Sequence, residues 1–205
     1  MKTTCLILCA TVCMAFIASG QGTFIYDQSS ATNQSIGYGF PIQADQPMGQ
    51  SFTPTLSSIG FIQLEFGYGS LSNQLGATVY VNLWSGSISN GTLLSSTDPI
   101  FIPDGAFDLV TNLIFSTAVT LTPGTTYYLQ PYLQSGDTRL AVIGGIFNYS
   151  GGTAYFDSTP DPNNSDLWFR EGIIEVPEPS LLILTLIGSG LFLYARQKCK
   201  NHSCA

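Results

Sequence analysis

Residues 77–84 read Ala77-Thr78-Val79-Tyr80-Val81-Asn82-Leu83-Trp84. Val79, Val81 and Leu83 alternate with Thr78, Tyr80, Asn82 and Trp84. A period of two sends successive side chains to opposite faces of a strand, so this stretch reads as a β-strand with one apolar and one polar-aromatic face.

Working outward, the pattern recurs on both sides. Residues 59–66, IGFIQLEF, set Ile62, Leu64 and Phe66 against Gln63 and Glu65. Residues 109–121, 125–133 and 140–147 are further β-rich apolar stretches, and Pro131 makes the end of the second an edge or a bulge. In residues 167–173, LWFREGI, Leu167 and Phe169 take one side, Trp168 and Arg170 the other. Gly, Ser, Thr and Asn interrupt these runs at short intervals, and Thr122-Pro123-Gly124-Thr125 has Pro and Gly where a type II turn wants them. About eight to ten strands without a helical period predict an all-β fold, an antiparallel β-sandwich of jelly-roll type.

Composition narrows the chemistry. Between Gln21 and Val176 twelve acids face two bases, Arg139 and Arg170, a formal charge of −10. Such a surface repels phosphate backbones, so nucleic acid is excluded as a partner, and cations and neutral polymers fit better. The same region has no cysteine and no histidine. It therefore carries no disulfide framework, thiolate metal site or histidine-based triad, and only carboxylates remain as catalytic groups.

The two ends read as targeting segments. Residues 1–20 combine Lys2, an apolar stretch and Ala18-Ser19-Gly20, the pattern of a secretory leader cut between Gly20 and Gln21. Residues 180–195, SLLILTLIGSGLFLYA, carry no charge. Sixteen residues of helix span about 24 Å, a little short of the ~30 Å hydrocarbon core, and flanking bases that snorkel make up the difference. Arg196, Lys198 and Lys200 follow the run, so the positive-inside rule predicts a cytoplasmic C-terminus. The expected organisation is a leader (1–20), a sandwich ectodomain (21–175), a sorting and anchor segment (176–200) and a short cytoplasmic tail (201–205).

Val176-Pro177-Glu178-Pro179, the apolar run and the bases resemble, in that order, the PEP-CTERM sorting signal. The resemblance implies export in a Gram-negative-type cell envelope. It also implies an exosortase-type membrane transpeptidase as partner, and release or re-attachment at the cell surface, often alongside secreted polysaccharide. The chain departs from the family in having one arginine, interspersed lysines and a few further residues to Ala205. Residues 49–55 (GQSFTPT), 121–129 (LTPGTTYYL), 149–155 (YSGGTAY) and 166–170 (DLWFR) are similar to exported β-sandwich domains carried on varied C-terminal anchors. That likeness implies a fold and a surface location, with no activity attached.

Two sets of residues are candidates for a site. Tyr80, Asn82 and Trp84 lie on the polar side of their strand, and Tyr128, Tyr132 and Trp168 extend them into a ligand face. Exposed aromatics beside amides suit a sugar polymer, by stacking and hydrogen bonding. Asp157, Asp161 and Asp166 in DSTPDPNNSD are hard oxygen donors of the type calcium takes, without EF-hand spacing. The expected function is a non-enzymatic, polysaccharide-binding surface or matrix protein. The alternatives are a carboxylate-only glycan-active enzyme, which needs two acids facing each other in a cleft, and a purely structural envelope protein.

Overall fold

The computed structural model describes residues 22–31, 37–68, 75–88 and 90–176. Gly20, Gln21, Pro177, Glu178, Pro179, the apolar run, Arg196, Lys198 and Lys200 lie outside the described residues, and Val176 is the last within them. Among the described residues there is no helix. In chain order the strands are β1 (Thr23–Ser29), β2 (Tyr38–Pro41), β3 (Gly49–Phe52), β4 (Ser58–Tyr68), β5 (Ala77–Ser85), β6 (Thr92–Ser96) and β7 (Ile100–Ile102). There follow β8 (Leu109–Thr120), β9 (Tyr127–Gly136), β10 (Leu140–Gly145), β11 (Ala154–Phe156), β12 (Thr159–Pro160), β13 (Asp166–Leu167) and β14 (Phe169–Glu175). The surplus over the expected number comes from pieces of two or three residues.

The strands form two antiparallel sheets of seven, packed as a sandwich. In the first, β4 is central. It pairs with β8 on one side and on the other with β14 along residues 61–64 and β10 along residues 66–68. Beyond these, β1 lies next to β14 and β2 next to β10. The second sheet runs β12-β11-β3-β9-β5-β6, with β7 pairing the start of β5.

Alternation decides what goes inside. Val79, Val81 and Leu83 of β5 and Leu129 of β9 share the core with Ile62, Leu64 and Phe66 of β4, Val142 of β10 and Phe169 of β14. Phe52 of the second sheet meets Phe169 of the first at 6.4 Å between ring centroids and Tyr127 at 6.1 Å. Each such side chain contributes about 1.5–3 kcal/mol on burial. With no cysteine between Gln21 and Val176, this packing holds the domain together.

Polar ties cross the same interior. Gln50 on β3 donates from Nε2 to Asp166 Oδ1 at 3.0 Å and accepts the Leu167 N–H at 2.8 Å. Asp166 Oδ2 accepts the Tyr149 N–H at 3.0 Å, and the Tyr149 hydroxyl donates to Gln28 Oε1 at 3.0 Å. Ser30 accepts the Phe169 N–H and donates to the Leu167 carbonyl. Through these bonds the segments Gln28–Ser30 and Asp166–Phe169, at β1 and at the start of β14, are tied to β3 and to each other.

Proline and glycine act as expected at two places. Pro131 sits within β9 opposite Val81, but past the end of β3. Its edge there has no strand neighbour requiring an N–H, and its carbonyl accepts from Gln46 Nε2 at 2.8 Å. Gly124 has φ of +77°, and the Thr125 N–H closes the turn on the Thr122 carbonyl at 3.1 Å.

Two features go beyond the sequence pattern. Within DSTPDPNNSD, Asp157 (φ 49°) and Ser158 (φ 65°) form a two-residue connection from β11 to β12, where Phe156 pairs with Thr159. Left-handed φ at both central positions is the type I′ geometry that matches strand twist. The outer face of the first sheet is also buried where alternation implied solvent. Phe61, Gln63 and Glu65 are all buried, with the Phe24 and Tyr26 rings edge-on to Phe61 at 4.6 and 5.6 Å between centroids.

Candidate ligand-binding face

The outer face of the second sheet is built by register. Tyr80, Asn82 and Trp84 of β5 stand opposite Tyr132, Gln130 and Tyr128 of β9. On β5 the core residues are the odd-numbered ones, so these side chains all face away from the core. Tyr80 and Tyr132 lie 5.4 Å apart between ring centroids. One strand further, Ser51 of β3 stands beside Tyr128, and Tyr155 of β11 meets the Tyr128 ring edge-on at 5.4 Å.

The amides between the rings are fixed in a chain. Trp84 Nε1–H donates to Gln130 Oε1 at 2.8 Å, Gln130 Nε2 donates to Gln46 Oε1 at 2.9 Å, and Gln46 continues to the Pro131 carbonyl. Ser96 donates to Asn82 Oδ1 at 2.6 Å. Trp84 is thereby held by its edge and remains partly exposed. Tyr80 and Tyr132 stand two residues from the amides, and Tyr80 and Trp84 are about 13 Å apart along the strand. Burial and the neighbouring Tyr132 raise the Tyr80 pKa; burial and Tyr128 do the same for Tyr155, so these phenols stay neutral. The face contains no charged residue among those named. It offers fixed, partly exposed π-surfaces with the Asn82 amide and tyrosine hydroxyls between them, the chemistry of sugar stacking, while Gln130 is buried and serves to hold Trp84.

Of the expected ligand residues, Tyr80, Asn82, Trp84 and Tyr128 come together, with Tyr132. Trp168 does not. It belongs to the first sheet, is 1 % exposed, and carries the Arg170 guanidinium over its ring at 4.8 Å. Gln130, Gln46 and Tyr155 belong to the face and were not singled out in the sequence. The Gln130 position was readable, as it shares parity with Tyr128 and Tyr132. Tyr155 reaches the face only through the β11–β3 pairing.

The calcium candidates do not converge. Asp166 is 1 % exposed and committed to Gln50 and Tyr149. Asp161 accepts the Ser165 N–H at 3.0 Å and caps its own turn. Asp157 lies beside Asp45. Among the described residues no three acids, histidines or cysteines stand together as metal ligands. Among the described residues carboxylates neighbour one another at Asp27 and Glu171, at Glu65 and Asp108, and at Asp45 and Asp157. Glu171 and Glu65 are wholly buried.

No family model matches this chain, and no curated protein matches it.

Proposed function

We propose that this is an exported, surface-sorted β-sandwich that binds neutral polysaccharide on the outer face of the β9–β5 sheet and performs no catalysis. The carrying observation is the uncharged row of rings, the pairs Tyr80–Tyr132 and Tyr128–Tyr155 with Trp84 opposite Tyr128 in register, and the amide bond that fixes Trp84. A jelly-roll arrangement belongs to the same reading. It is supported by the strand orders β2-β10-β4-β8 and β3-β9-β5-β6, the interleaving that two nested Greek keys produce. Sorting rests on the sequence from Val176 to Lys200, with an exosortase-type transpeptidase as the membrane partner and the bacterial cell surface or matrix as the destination.

The binding half is tested by titrating the full chain, in mild nonionic detergent, with a neutral soluble glucan. Combining Trp84→Ala with Tyr132→Ala is expected to weaken binding about tenfold or more, since each stacking contact is worth ~0.5–1.5 kcal/mol. Equal affinity in wild type and double variant removes the face as the site. The sorting half is tested by cell fractionation and mature mass. Wild type is expected outside the cells, cut near Pro179, while Pro177-Glu178-Pro179 replaced by alanines stays full-length in the membrane. If both remain uncut in the membrane, the tail is an ordinary anchor.

A further inference from the structure

A second concave feature lies away from the aromatic face. An open groove of about 450 Å³ runs between β2 of the first sheet and β11 of the second. Its floor is the Phe40–Phe156 pair, 4.6 Å between ring centroids. Gly144 makes room for that floor, because a Cβ there would stand 2.8 Å from the Phe40 ring. Tyr38 and Ile146 form an apolar rim and are 74 % and 64 % exposed.

The rest of the lining is acidic. Asp45 and Asp161 both face the groove. Burial raises the Asp45 pKa, and the carboxylate of Asp157 raises it further. Asp161 is held below its ordinary value, chiefly by hydrogen bonds from Ser165, so it remains an anion. Neither arginine of the domain lines the groove. Two carboxylates, Asp45 and Asp161, thus line an aromatic slot with no base among its lining residues, and Asp157 stands beside Asp45.

The two halves ask for different things of one ligand. Ring faces and an aliphatic rim favour the C–H face of a pyranose. Crowded carboxylates favour a positive charge, and aromatic walls add cation–π attraction to an organic cation. A bare metal ion uses neither ring, and no three donors converge to hold one among the described residues. A lysine stem is slender for a groove of this volume, which falls in the range that encloses a sugar-sized ligand.

We propose that this groove binds a protonated amino sugar, as a unit of a cationic, deacetylated hexosamine polymer. The site is separate from the aromatic face, and the proposal rests on the polysaccharide-binding reading only for the source of the ligand. The ammonium sits beside Asp45, whose neighbour Asp157 adds negative potential, with Asp161 on the same lining, and the pyranose lies against Phe40, Phe156 and Tyr38.

The test is calorimetric titration of the full chain in nonionic detergent, with EDTA, at mildly acidic pH. The probes are a glucosamine hexamer and its fully N-acetylated counterpart. Wild type is expected to bind the amine form about tenfold more tightly or better. Asp45→Asn is expected to remove most of that preference and Tyr38→Ala to weaken the binding of both hexamers several-fold, with circular dichroism confirming that both variants fold, while Trp84→Ala leaves the preference intact. Equal affinity for the two hexamers, or a preference that survives Asp45→Asn, overturns the proposal. Displacement of the hexamer by an equimolar short polylysine reassigns the groove to a basic peptide. Cleavage of the hexamer, read by mass spectrometry, reassigns it to a carboxylate hydrolase. Loss of neutral-glucan binding in Trp84→Ala with none in Asp45→Asn separates failure of this proposal from failure of the aromatic-face reading.

Discussion

Glu171→Gln is expected to make the domain more stable than wild type at pH 8 and above, and to flatten its stability between pH 5 and 8. Glu171 follows Leu167 and Phe169 on the core side of its strand, with Ile62 as its register partner, and is wholly buried. Neither of its oxygens makes a well-formed hydrogen bond; the Asp27 carboxyl and the Gln28 backbone are its polar neighbours. Burial, and next the charge of Asp27, push its pKa from the usual 4.5 up to about 8. The folded state therefore keeps a proton that the unfolded chain releases above about pH 4.5. This stabilisation is complete below that value and is lost as pH rises through about 8. The shift corresponds to roughly 5 kcal/mol at most, a large part of a typical domain's stability.

Asp27 works in the opposite sense. Burial alone would raise its pKa, but the N–H groups of Leu56 and Thr55 and the Thr55 hydroxyl outweigh it and hold the carboxylate ionised. Its contribution is present above its unfolded value of 3.8 and is lost as pH falls below that. The pair thus sets a stability maximum near pH 4–5, at the acidic side of the common range. Urea unfolding midpoints from pH 4 to 9 check this. Parallel pH profiles for wild type and Glu171→Gln would mean that the Glu171 carboxyl is not the group responsible.

Phe169→Ala is expected to cost about 3–5 kcal/mol, the usual range for removing a buried aromatic ring. Phe169 joins the two sheets through Phe52 and packs edge-on against Tyr149 at 5.2 Å. The Tyr149 hydroxyl, its pKa pushed up by burial to about 12, ties that loop to Gln28 on β1. Loss of the ring therefore opens a cavity where the core meets the polar ties. In thermal melts the midpoint is expected to fall by about 10 °C or more. Reducing agent is expected to change neither protein's midpoint, because the domain has no cysteine. A shift below a few degrees would show that the surrounding rings collapse into the space.

Alternation was the legible part of this protein. The β5 pattern put Val79, Val81 and Leu83 in the core and Tyr80, Asn82 and Trp84 outside, and the structure has them there. Parity also assigned Trp168 correctly to the side opposite Leu167 and Phe169. It could not reveal that this side is buried, because periodicity reports which face a residue takes and not what covers that face. Glu171 shows the converse. Its parity with Phe169 pointed inward, but a charged residue at that position reads as solvent-facing on composition. The groove was out of reach for another reason. Tyr38, Phe40, Asp45, Ile146 and Phe156 come from segments more than a hundred residues apart, and only the closing of β2 and β11 across the sandwich edge brings them together.

The placement of β14 has a mechanical consequence. It lies between β1 and β4, with Ser30 bonded to it by both backbone and hydroxyl. A tension applied beyond its C-terminal end, as on any tethered domain in flow, loads two ladders of hydrogen bonds at once instead of unzipping a free edge. A ligand pulling on the opposite sheet would transmit that load across the ring contacts of Phe52 and Phe169. Under such a load the ring contacts between the sheets would share the force with the strand ladders, so unfolding forces would report on core packing as well as on strand pairing.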